Sequence, residues 1–125
     1  MGALQPWRFL VVEDEALIAL MLEEMLKELG YSVARTTHNA AEALTLIEAR
    51  PSDFNAATLD VNLGEGNSDE VAEALASRSI PFIVTTGYDE SRLGPAFEGH
   101  PVIFKPFAIE ALREAIACCA RAEPF

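Results

Sequence analysis

Five short apolar runs punctuate the chain, and most are followed by residues in helical spacing. The first, at 9–12 (Phe-Leu-Val-Val), stops at Glu13-Asp14-Glu15. Ile18, Leu22, Met25 and Leu29 then line one helical face, with Met21 and Leu26 beside it. Asp14 reads as the N-cap and Gly30 as the stop. Residues 31–36 form a weakly alternating strand. Asn39 caps a second helix with Ala40, Ala43, Leu44 and Ile47 inward, and Pro51 ends it. Strands are expected at 54–59, 80–85 and 102–104. A Gly-containing loop follows at 62–67, and Ser68 caps a helix running to about Arg78 with Val71 and Leu75 inward. A last helix carries Ile109, Leu112, Ile116 and Cys119. The fourth helix, at 89–100, is expected to be short or mobile because Gly94 and Pro95 interrupt it. The pattern is (βα)5. It predicts an α/β fold with a parallel sheet covered on both faces, whose strands are apolar on both sides.

With 125 residues, half of them hydrophobic, the expectation is one domain over 1–125 with no output domain. Nine basic residues against 20 acidic ones give a net charge of −11. Such a surface repels phosphate backbones, so neither nucleic acid nor an anionic membrane is an expected partner. No apolar run has the length or flanks of a membrane span or signal peptide, which points to the cytoplasm. Cys118 and Cys119 are adjacent and fit neither a CxxC pair nor a zinc spacing, so they read as reduced thiols. His38 and His100 stand alone and read as ordinary loop residues. The short motifs of nucleotide-binding loops, zinc proteases and serine hydrolases are absent. Trp7, Phe82 and Phe107 read as packing residues.

In an open α/β sheet, ligands bind beyond the carboxyl ends of the strands. Those ends carry Glu13-Asp14, Asp60, Thr85-Thr86 and Lys105. Three clustered carboxylates repel one another and need a cation, and hard oxygen ligands facing water favour Mg²⁺. A metal, an ammonium and a hydroxyl together can receive a phosphoryl group, with one carboxylate as nucleophile. Asp60 is the best placed, alone at its strand end where a loop lets a donor approach.

Four segments together resemble the receiver domain of two-component response regulators: Val11-Val12-Glu13-Asp14-Glu15, Leu59-Asp60-Val61-Asn62-Leu63, Thr85-Thr86-Gly87 and Lys105-Pro106-Phe107. The likeness runs from Phe9 to about Ala122 and implies a flavodoxin-like fold with strand order 2-1-3-4-5. By position it implies that Asp60 is the phosphoacceptor. Glu13 and Asp14 would hold Mg²⁺ with Asp60 and the backbone carbonyl of Asn62, Asp14 being the nearer ligand of the acidic pair. Thr86 would be the switch hydroxyl and Lys105 the phosphate-pairing lysine, with a cis Lys105–Pro106 bond. Val102 stands where receivers often carry a switch aromatic, and Tyr88 could replace it. Residues 81–88 (Pro-Phe-Ile-Val-Thr-Thr-Gly-Tyr) are similar to the strand-four motif of the FATGUY receivers, with Val84 and Thr85 in place of Phe and Ala. Those are mostly single-domain alphaproteobacterial proteins associated with HWE-type histidine kinases.

The resemblance thus implies a stand-alone receiver, phosphorylated by a histidine kinase or a histidine phosphotransfer protein, that signals to a downstream protein partner or returns phosphate to a relay. It would be no enzyme beyond catalysing its own phosphorylation and dephosphorylation. The alternative is a pseudo-receiver that binds a partner without phosphorylation; Asp60, Thr86 and Lys105 speak against it. An aspartyl-phosphate phosphohydrolase would need a second Asp where Asn62 stands.

Overall fold

A computed structural model describes residues 6–64, 68–87 and 93–122. Five strands, β1 (Arg8–Val12), β2 (Ser32–Thr37), β3 (Ala56–Asp60), β4 (Phe82–Thr86) and β5 (Val102–Phe104), form one sheet in the order β2-β1-β3-β4-β5. Every neighbouring pair is parallel. Among the described residues four α-helices accompany them: α1 (Ala16–Glu28), α2 (Ala40–Ala49), α3 (Ser68–Ser77) and α4 (Ile109–Ala122). The parallel sheet is the one the alternation predicts, and its order is the flavodoxin-like one that the resemblance to receivers implies.

Successive strand residues point to opposite faces, and the sheet sorts its apolar side chains into two cores accordingly. Leu10, Val12, Ala57, Leu59, Phe82 and Val84 pack with Ala43 and Ile47 of α2 and Val71 and Leu75 of α3. Phe9, Val11, Ala56, Ile83 and Ile103 pack with Leu22 and Leu26 of α1 and Leu112 and Ile116 of α4. The central strands β3 and β4 are buried at every position, so an unpaired charge on either face would be costly. Trp7 and Phe107 pack partly buried against the second core, and Phe82 is fully buried in the first, all as structural side chains.

The helix ends follow local chemistry. Gly30, at φ 96°, lets α1 end with its N–H donating to the Lys27 carbonyl and that of Tyr31 to the Leu26 carbonyl. Asn39 caps α2 as expected, accepting from the Glu42 N–H at 2.8 Å. Two expected caps are corrected. Glu15, not Asp14, occupies the N-cap position of α1, and it makes no side-chain capping bond. Ser68 lies inside the first turn of α3, where its hydroxyl donates to the Val61 carbonyl. Met21, expected beside the buried stripe of α1, faces outward with Leu17 and Leu20.

The segment before β5 departs from the regular alternation. Within 93–100 the backbone forms a 3-10 turn at Pro95–Phe97. Gly94 is extended at ψ 178°, as the residue before a proline prefers, and Pro95 opens the turn because it needs no amide hydrogen. Tyr88 lies outside the described residues. Phe97 is buried in the first core, and His100 stacks on Phe82 with ring centroids 3.8 Å apart.

Burial holds the His100 imidazole below its ordinary pKa of 6.5. The unfolded chain therefore binds the proton more readily than the folded one. The stabilising contribution is fully present above pH 6.5 and is lost as pH falls through that value towards the lower folded pKa. Thermal melts at pH 7.5 and 5.5 should show a smaller loss of Tm on acidification in His100→Phe than in the parent chain; equal losses would remove His100 from the pH response.

Candidate functional site

The strand order brings the carboxyl ends of β1 and β3 side by side. Val12 pairs with Leu59, so Glu13 and Asp60 follow as neighbours, and Asp60 in turn pairs with Thr85 of β4. Lys105 arrives from the end of β5, its N–H donating to the Thr86 carbonyl at 2.8 Å. The Lys105–Pro106 bond is cis, as expected. The residues expected at four strand ends thus converge on one edge of the sheet.

Lys105 organises the cluster. Its Nζ lies 3.0 Å from Asp60 Oδ2 and donates to it. It lies 3.0 Å from Glu13 Oε1 and 3.2 Å from Oε2, with hydrogen-bond geometry to Oε2. Glu15 Oε1 stands 3.7 Å away. Asp60 Oδ1 accepts the Asn62 N–H at 3.0 Å, and Asn62 Oδ1 accepts the Gly64 N–H at 3.2 Å. Both Asp60 oxygens are therefore engaged and the side chain is fixed. Gly64 adopts φ 68°, and a β-carbon there would meet Asp14 Oδ2 at 3.6 Å, so the β3–α3 loop passes directly over the acid run.

Burial separates two kinds of acid. Glu13 is fully buried, whereas Asp14 and Glu15 are exposed. Burial, then the hydrogen bond and charge of Asp60, push the Glu13 carboxyl up to about 8 against the opposing pull of Lys105. For Lys105, burial disfavours the ammonium, but the contacts with Asp60 and Glu13 outweigh it and hold the pKa above its ordinary value. Thr85 and Thr86 are both buried. By strand alternation they point to opposite faces, Thr85 with Ile83 and Thr86 with Val84. The Thr85 and Thr58 hydroxyls have no hydrogen-bond partner among the described residues.

Asp14, Glu15, Asp60, Asn62, Gly87 and Lys105 line a cleft of about 320 Å³. A larger one, about 450 Å³ beside β2 and α2, gathers none of these groups. Carboxylate oxygens of Glu13, Asp14 and Glu15 come within 4.8 Å of one another. The exposed carboxylates of Asp14 and Glu15, with Glu13 buried behind them, are hard oxygen donors that fit a divalent cation such as Mg²⁺.

Two contributors were not foreseen. Glu15 figures in the sequence only as the last of the acid run and is given no site role, yet it lines the cleft and faces Lys105; the run of three acids was the available signal. His38, read as an ordinary loop residue, contacts the Glu13 main-chain carbonyl through Nδ1 at 3.0 Å. No spacing rule points to that contact, because it joins residues that follow different strands through a backbone atom.

A parallel α/β sheet of this order, with acids and a lysine gathered at its carboxyl edge, belongs to the flavodoxin-like, doubly wound class, which binds ligands at that edge. The response regulator receiver domain model matches residues 9–117, and the chain belongs to that family. Among curated proteins it is similar to the transcriptional regulatory protein PdtaR of Mycobacterium tuberculosis, at 33% identity over 115 residues, 89% of this chain and 55% of that protein. The phyllosphere-induced regulator PhyR of Methylorubrum extorquens is 35% identical over 107 residues, 78% of this chain and 38% of PhyR. The chain thus spans about half the length, or less, of these relatives. The solution structure of SdrG from Sphingomonas melonis aligns with a TM-score of 0.80 at 40% identity, over 92% of this chain and 97% of that one. Receiver domains are signalling modules of two-component systems, and as a family they interact with histidine kinases or phosphotransfer proteins. Among the described residues no helix is long and apolar enough to cross a membrane.

Replacing Lys105 should leave buried carboxylates without their cation. Lys105→Met is expected to destabilise the metal-free protein by about 1–3 kcal/mol, below the full loss for a broken buried pair because Glu13 can take up a proton. Urea denaturation in a chelating buffer measures this. Adding Asp60→Asn should recover part of the loss, and a strictly additive double variant would contradict the coupling.

Proposed function

We propose that the chain is a phosphorylation-dependent switch that receives a phosphoryl group on Asp60 from a histidine kinase or a histidine phosphotransfer protein. The observation that carries this is the Asp60 carboxylate at the end of β3, held by Lys105 at 3.0 Å and opening on a cleft lined by further acids. In the transfer, an Asp60 oxygen attacks phosphorus. The P–O bond forms as the P–N bond of phosphohistidine breaks, and the electron pair returns to the imidazole.

Asp14 and Asp60, with Glu13 behind them and the Asn62 carbonyl alongside, are the residues that would hold Mg²⁺. When bound, the ion would neutralise charge on the phosphoryl oxygens. Lys105 pairs with a phosphoryl oxygen and exchanges part of its contact with Asp60 for it. Thr86, ending β4, supplies the hydroxyl that answers the new group. The phosphorylated side chain carries roughly −1.5 to −2 charges. Drawing Thr86 and Lys105 towards that charge alters the ends of β4 and β5, and with them the surface around β5 and α4. A protein partner that reads this surface, or the return of phosphate to a relay, is the output.

Incubation with acetyl phosphate and Mg²⁺ tests the proposal. The parent chain should gain an acid-stable, base-labile label that maps to Asp60, chelation should prevent it, and Asp60→Asn should remain unlabelled. Equal labelling of Asp60→Asn would defeat this function.

A further inference from the structure

We propose that His38 is a positioning residue for the acid run, stapling the main chain of Glu13 so that the carboxylates of Glu13, Asp14 and Glu15 stay gathered; the role rests on the metal-holding reading of that site. The pairing of β1 with β2 ends at Val12 and Thr37. One further main-chain bond follows, from the Glu13 N–H to the Thr37 carbonyl at 3.0 Å. Beyond it the chains diverge, β1 into the acid run and β2 towards α2. The Glu13 carbonyl then accepts from a side chain, His38 Nδ1, at 3.0 Å. A carbonyl can only accept, so the proton of this bond resides on Nδ1. The imidazole thus adds one more rung to the ladder, and the Glu13 residue is bonded on both sides of its α-carbon.

His38 is itself anchored. Its N–H donates to Glu42 Oε1 at 3.2 Å, and the Glu42 N–H donates to Asn39 Oδ1 at 2.8 Å. The capping residues of α2 therefore hold the backbone from which the imidazole projects. On the far side, the Glu15 N–H donates to Glu13 Oε2 at 3.2 Å. A continuous set of bonds runs from the N-terminus of α2, through His38 and Glu13, to the start of α1. Three neighbouring carboxylates repel one another, and a group that fixes their main chain opposes the spreading that repulsion favours. Partners of this kind, one bond removed from a metal ligand, commonly tune its affinity.

The test compares the 125-residue parent chain with His38→Ala and His38→Asn, the latter because the Asn amide nitrogen can take the place of Nδ1. In a chelating buffer, amide hydrogen exchange at Glu13 should quicken by about 2- to 10-fold in His38→Ala, with Leu10 and Val11 unchanged, and return to the parent rate in His38→Asn. Titration with Mg²⁺ alone, read by calorimetry, should show affinity about 3- to 10-fold weaker in His38→Ala and restored to within about twofold in His38→Asn. Parent-like exchange and affinity in His38→Ala, or an Asn variant as impaired as the Ala one, would overturn the role. A parent chain that takes up no Mg²⁺ would instead bring down the metal reading, and the exchange comparison would still decide whether His38 is the staple.

Discussion

The ammonium of Lys105 lies between two carboxylates that could not otherwise share the interior. Glu13 and Asp60 end adjacent parallel strands, and both are almost wholly removed from water. Two buried acids side by side are costly unless a cation or a proton intervenes. Lys105 supplies the cation from β5, and Glu13 supplies the proton option through its raised pKa. The rest of the site is arranged around this solution. Asp60 is locked by Lys105 on one oxygen and the Asn62 amide on the other, while Asp14 and Glu15 remain at the mouth of the cleft.

Strand order makes the arrangement possible. Placing β1 between β2 and β3 sets Glu13 beside both Asp60 and the β2 exit, where Thr37 and His38 bind its main chain. Placing β4 between β3 and β5 sets the threonine pair between Asp60 and Lys105. Each strand is anchored below by residues packed on both faces, such as Val11 and Val12 or Ile83 and Val84. The apolar interior therefore fixes the height at which each polar residue emerges.

Much of this was legible in the chain. Period and length distinguished strands from helices, and the polar residue ending each apolar run named Asp60, Thr86 and Lys105. What escaped notice has a common cause. The apolar runs place β3 at 54–59 and β4 at 80–85, yet the strands are Ala56–Asp60 and Phe82–Thr86. Hydrophobicity marks where the core ends, but the ladder continues one rung further, to Asp60 paired with Thr85. Phe54 and Ile80 are buried without belonging to a strand. Burial of Glu13 was equally hidden, because its partner lies 92 residues away in sequence. His38 could not be inferred at all, since its partner is a backbone carbonyl and carries no residue identity.

Thr85 and Thr86 give the sheet an unusual vulnerability. They are chemically identical, consecutive and both buried, yet they look into opposite layers of the molecule. A strand displaced by a single residue would exchange every side chain between faces, and at the tip of β4 that exchange would still present a threonine to either side. The hydroxyls alone cannot tell the right alignment from the wrong one. That discrimination falls to Phe82, whose ring fits the layer shared with His100 and Phe97, and to Ile83, which fits the layer under α1 and α4. The proofreading of a polar signalling edge is thus delegated to two apolar side chains at the opposite end of the same strand.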